Sequence, residues 1–151
     1  MRHAFGFVLG VVLTPALAYG AAWGFARAAA ALDPAGQVIS DRTGLYGALA
    51  IMAAVGLVTG VVIVARWASP LVSLVPALAL LGWTGYFLVD PRAALKLPAR
   101  VPPAGELDTG LQILLTSGVF ALLGFALLMP AWAPGRWRRG QDEDVAAGHP
   151  Y

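Results

Sequence analysis

The spacing of its charges constrains this chain more than any other feature. Four stretches contain no Lys, Arg, His, Asp or Glu: residues 4–26, 45–65, 70–89 and 111–133. A helix of about 20 apolar residues crosses a hydrocarbon core of roughly 30 Å, and every stretch reaches that length. None shows the period-two alternation of a membrane β-barrel strand. The pattern predicts an all-α integral membrane protein whose four transmembrane helices form a small antiparallel bundle within residues 1–135. A polar tail, residues 136–151, follows and is expected to be disordered.

Composition excludes the soluble alternative. The chain is 59% apolar and 12% charged, with a mean hydropathy of +0.74, against roughly 25% charge in soluble domains. The sequence pI near 9.4 suggests an anionic partner, yet ten basic and eight acidic side chains leave a formal net charge of only +2. Nucleic acid is not expected, because the one basic run, RWRR at 136–139, is followed at once by Asp142, Glu143 and Asp144, a poor track for phosphates. Zero cysteines exclude disulfides, thiolate metal sites and thiol redox catalysis.

Local chemistry marks the ends of the spans. Ser69-Pro70 reads as an N-cap followed by proline at the first helical position, and Thr109-Gly-Leu-Gln112 fits a capping box ahead of span four. Asp90-Pro91 is expected to open a short helix, RAALKL, that Pro98 stops. Pro15 and Pro76 fall inside spans one and three, where Thr14 and Ser73 stand ready to satisfy the carbonyls that proline leaves free. The N-terminus resembles a signal peptide up to Ala16-Leu17-Ala18. Because the apolar run continues through Ala26 without a polar region, an uncleaved anchor is the expectation.

Orientation rests on the arginines nearest the membrane. Arg66 lies in the short turn between spans two and three, and Arg136, Arg138 and Arg139 directly follow span four. The positive-inside rule then places both termini in the cytoplasm. Together with Trp67, Trp132 and Trp137, these arginines are the expected membrane-surface anchors. On the opposite side, Arg92, Lys96 and Arg100 recur every four residues. Abundant Arg, Ala and Gly reflect a GC-rich coding sequence, and a bacterial plasma membrane is the expected location.

The spans are poor in chemistry. An ionisable group inside a span is costly and marks a functional site by default, but none of the four carries a charged residue. Their most polar members are Thr14, Thr59, Ser73, Thr84, Thr116 and Ser117, expected to bond their own helix backbones. The two histidines, His3 and His149, lie at opposite ends of the chain. No catalytic residue, metal ligand or cofactor site is predicted. The chain thus departs from four-span families of similar size. It lacks the first-span glutamate of small multidrug-resistance exporters and the paired cysteines of quinone-linked disulfide oxidoreductases.

One positive pattern remains. Gly6 and Gly10, Gly20 and Gly24, and Gly56 and Gly60 are each four apart, and Ala50, Ala53 and Ala54 extend the small surface of span two. Small residues at this spacing let helix backbones approach closely where lipid removes the usual hydrophobic drive. These six glycines are the predicted packing residues, facing either the rest of the bundle or a partner. The expectation is a small, non-enzymatic polytopic protein whose partners are the lipid bilayer and either a second copy of itself or a larger membrane protein. The competing expectation is an oligomeric transporter or channel subunit for a neutral or lipophilic solute.

Overall fold

A computed structural model describes residues 2–33, 35–36, 38–65, 69–97 and 106–132. It is helical almost throughout. Helix α1 spans Arg2–Ala30, α2 Arg42–Val64, α3 Pro70–Val89, α4 Pro91–Lys96, α5 Glu106–Thr116 and α6 Val119–Leu128, with a 3₁₀ turn over Met129–Trp132. Helices α1, α2 and α3 are each long and apolar enough to cross a membrane, and α5 with α6 adds a fourth span if that bent pair counts as one.

Close neighbours give the helix directions. A side-chain carbon at Gly20 would meet Val55, whereas one at Gly24 would meet Met52 and Ala48, so α2 runs antiparallel to α1. Gly6 faces Ser69 and Val72, and Gly10 faces Leu71 and Val75, so α3 runs parallel to α1. Phe120 lies beside Trp83, with ring centroids 5.5 Å apart, and Gly124 lies beside Ala77 and Leu81. Helix α6 therefore descends antiparallel to α3. The order is up, down, up, down, with α1 between α2 and α3, and α6 packed on α3 and touching α2.

The fourth predicted span differs from expectation. Instead of one helix over 111–133, α5 and α6 meet at a bend of 71°. Gly118 is responsible: its φ of +79° is left-handed and ends α5, a conformation that costs other residues a Cβ clash. Nor is Thr109 an N-cap. It lies inside α5, which begins at Glu106, because Gly110 and Leu111 press the segment onto α1 and carry the helix past Thr109. The Gln112 amide does not turn back to a cap but donates to the Leu95 carbonyl at 3.2 Å.

Two other boundaries follow the predicted chemistry. Ser69 caps α3 ahead of Pro70, its Oγ accepting from the Leu71 N–H. Asp90 serves two helices: its N–H donates to the Tyr86 carbonyl to close α3, and its carboxylate accepts from the Ala93 N–H at 3.0 Å to open α4. Between α1 and α2 lies a feature absent from the sequence reading, a two-stranded antiparallel hairpin. Strand β1, Leu32–Asp33, pairs with β2, Val38–Ile39. The Ala31 carbonyl fastens this loop, accepting from the Ser40 N–H at 3.0 Å and the Ser40 hydroxyl at 2.9 Å.

The core runs through Leu17, Ala21, Ala22, Val72, Ala77, Leu80, Leu111, Leu114, Phe120 and Leu127. It mixes small and large side chains, as close helix packing requires. Large apolar side chains also cover the outside, including Phe5, Val12, Leu57, Val64, Leu78, Val89, Leu122 and Phe125. Such a belt suits hydrocarbon and would promote association in water.

Candidate functional site

The four apolar stretches carry no charged residue, and the candidate sites lie on the surfaces of the helices. The first is the set of glycine-lined faces. Gly6, Gly10 and Gly24 are buried, and each leaves a neighbour closer than a side chain could tolerate. A Cβ at Gly10 would stand 2.9 Å from the Leu71 carbonyl oxygen, and one at Gly24 would stand 2.8 Å from Met52 Cγ. Gly20 leaves 2.9 Å to Val55 Cγ2. All four glycines of α1 thus abut another helix, Gly6 and Gly10 on α3 and Gly20 and Gly24 on α2.

Gly56 and Gly60 are different, since a side-chain carbon at either would meet nothing within 4 Å. With Ala53 they follow one another at spacings of three and four and so share one strip of α2. Ala50, Ala53, Ala54, Gly56, Leu57 and Val58 are all exposed. Only 17% of the most apolar stretch of α2 is buried, against 28% in α1 and in α3, so of these three helices α2 has most surface left for a neighbour.

Two packing glycines lack the spacing that would have revealed them. Gly110 sits directly on the Ala22 backbone, bringing α5 against α1, and Gly124 leaves only 2.7 Å to Leu81 Cγ, bringing α6 against α3. Neither has a glycine four residues away. Each opposes the small surface of another helix, at Ala22 and near Ala77, and that surface was the available signal.

The span hydroxyls are occupied locally. Thr14 donates to Gly10 O at 2.8 Å, Thr59 to Val55 O at 2.8 Å and Thr84 to Leu80 O at 2.9 Å. Ser73 donates to Pro70 O at 3.1 Å, Thr116 to Gln112 O at 2.9 Å and Ser117 to Leu114 O at 3.3 Å. All are bonds to carbonyls three or four residues back, the usual resting state of a helical hydroxyl. The expected role beside the prolines fails. Pro15 frees the Val11 carbonyl and Pro76 frees that of Val72, but Thr14 and Ser73 bond Gly10 and Pro70 instead.

The second set is the predicted membrane-surface anchors. Trp132 ends the 3₁₀ turn and is exposed. Arg66, Trp67, Arg136, Trp137, Arg138 and Arg139 lie outside the described residues. At the other end of the bundle, the Arg27 guanidinium stacks over the Trp23 ring at 5.5 Å, a pairing worth about 0.5–1 kcal/mol at an exposed site. Arg27 also lies in the last turn of α1, where a cation complements the helix dipole.

Helix α4 is fixed at this same end of the bundle. The Trp83 indole N–H donates to the Ala94 carbonyl at 3.3 Å, Gln112 holds the Leu95 carbonyl, and Ala94 is completely buried. Arg92 and Lys96 are left on the exposed side of this helix. Among the described residues no group of three His, Asp or Glu side chains gathers as a metal site would require. Comparison with known protein families, curated proteins and solved structures gives no match.

Proposed function

We propose that this chain is a small, non-enzymatic, polytopic membrane protein that serves as a structural or accessory component of the membrane or of a membrane complex. Its contact surface is the open face of α2. The observation that carries this reading is the contrast among its glycines. Those of α1 are filled by helices of the same chain, while exposed Ala53 and Gly56 and half-buried Gly60 form a smooth strip on which a side-chain carbon at either glycine would meet nothing within 4 Å. A strip of that shape accepts a neighbouring transmembrane helix, from a second copy or a larger partner, at close backbone distance.

The competing reading, a solute pathway through an oligomer, has less support. The hydroxyls that would line such a path are bonded to their own helices. A plasma-membrane location with both termini in the cytoplasm belongs to the same proposal and is supported by Arg66, Arg136, Arg138 and Arg139. Because the chain contains no cysteine, single cysteines report without background. Lys96→Cys reacts with an impermeant maleimide in intact cells and Gln141→Cys does not; the opposite pattern reverses the orientation.

Crosslinking tests the contact. A cysteine replacing exposed Ala53 on α2 gives a discrete crosslinked product in native membranes, whereas one replacing exposed Val12 on α1 does not. Mass spectrometry of the product identifies the second chain. Equal yields at the two positions, or none at either, would remove α2 as the contact surface.

A further inference from the structure

The chain also carries a surface suited to one class of lipid. Helix α4 begins directly after α3, whose last residues, Leu88 and Val89, are 77% and 84% exposed apolar side chains. Those residues mark the edge of the apolar belt, and Asp90 turns the chain there by capping both helices. Arg92 and Lys96 follow within two turns. They are four residues apart, so they share one face of α4.

That face cannot turn away from the membrane boundary. The opposite side of α4 is held by the Trp83–Ala94 and Gln112–Leu95 hydrogen bonds and by the complete burial of Ala94. The only carboxylate on the α3–α4 joint, Asp90, accepts from the Ala93 N–H as the helix cap. Two like charges one turn apart repel each other, and an anion lying across both relieves that repulsion. A phospholipid phosphate is the anion available at the edge of an apolar belt.

We infer that the Arg92–Lys96 face of α4 is a docking surface for the head groups of anionic phospholipids. This rests on the membrane-spanning reading above. The helix lies at the boundary, its cations reach the phosphate layer, and the neighbouring Leu88 and Val89 side chains contact the acyl chains of the same lipids. Each cation near such a surface contributes roughly a fivefold preference.

The test uses the full chain carried by native mass spectrometry from mixed micelles containing equal phosphatidylglycerol and phosphatidylcholine. The wild-type protein retains phosphatidylglycerol preferentially. The double variant Arg92→Gln/Lys96→Gln loses at least about fivefold of that preference. Arg92→Lys/Lys96→Arg keeps it, and so does Arg42→Gln, which removes an exposed arginine at the start of α2. Unchanged helical circular dichroism in each variant verifies the fold. An undiminished preference in Arg92→Gln/Lys96→Gln, or an equal loss in Arg42→Gln, overturns the inference. Release of the wild-type chain from vesicles by alkaline carbonate is a separate result, which overturns the membrane reading on which it stands.

Discussion

Helices α1 and α2 carry the same small-residue spacing and use it differently. In α1 every glycine of the two pairs is occupied by another helix of the chain, whereas the pair in α2 faces open space. Spacing shows that a backbone can be approached closely; it does not show by what. The difference arises from position, because α1 lies between α2 and α3 while α2 has only α1 as a substantial neighbour. An apolar helix at the rim of a bundle has no reason to be smooth if lipid alone covers it, since acyl chains adapt to any side chain. Smoothness matters against another helix.

Substitutions that fill each glycine test this contrast, and what each would strike sets the size of the effect. Gly110→Ala gives the largest loss, about 3 kcal/mol, because its Cβ strikes the Ala22 backbone, which cannot move without separating α5 from α1. Gly10→Ala follows at about 2 kcal/mol, since it meets the Leu71 carbonyl as well as Val75. Gly24→Ala costs about 1 kcal/mol, because Met52 is unbranched and adapts. Reversible unfolding in mixed micelles measures all three. If Gly24→Ala costs as much as Gly110→Ala, the ranking by rigidity of the opposing atoms is wrong.

Gly118→Ala probes a different kind of constraint. Its added carbon meets nothing within 4 Å, so the cost is that of a left-handed backbone alone, about 1 kcal/mol. Gly118→Asn costs less than Gly118→Ala, because asparagine tolerates that conformation better. Equal costs for the two would mean that the loss does not come from φ.

Much of the architecture was legible because long apolar runs leave few choices. Long stretches without charge, such as those ended by Arg27 and Asp90, mark three helices to within a few residues, and Ser69-Pro70 and Asp90-Pro91 act where their capping chemistry predicts. The bend at Gly118 was not legible. A glycine in an apolar run serves equally as a packing site or a helix end, and the choice depends on the contact of α6 with α3. Thr109-Gly-Leu-Gln112 misled for a related reason, since a local cap signal lost to the docking of Gly110 on Ala22. The hairpin after α1 escaped because strands of two residues leave no periodicity to read.

The candidate surfaces were only half visible. Spacing identified Gly6, Gly10, Gly20 and Gly24 as residues for close approach, but it could not separate them from Gly56 and Gly60, which share the motif without sharing the neighbours. Arg92 and Lys96 were visible as a stripe. Their restraint was not, because it comes from Trp83 and Gln112 on two other helices.

A paired substitution tests the central contrast most directly. Gly20→Ile/Gly24→Ile and Gly56→Ile/Gly60→Ile place the same bulk on two glycine pairs of equal spacing. Each double variant is compared with the unsubstituted pair by unfolding in detergent and by crosslinking through Ala53→Cys in native membranes. The α1 variant is expected to lose at least about 3 kcal/mol of stability. The α2 variant keeps its stability within about 0.5 kcal/mol and loses its crosslinked product. An α2 variant as destabilised as the α1 variant, or one that crosslinks as before, would contradict that contrast.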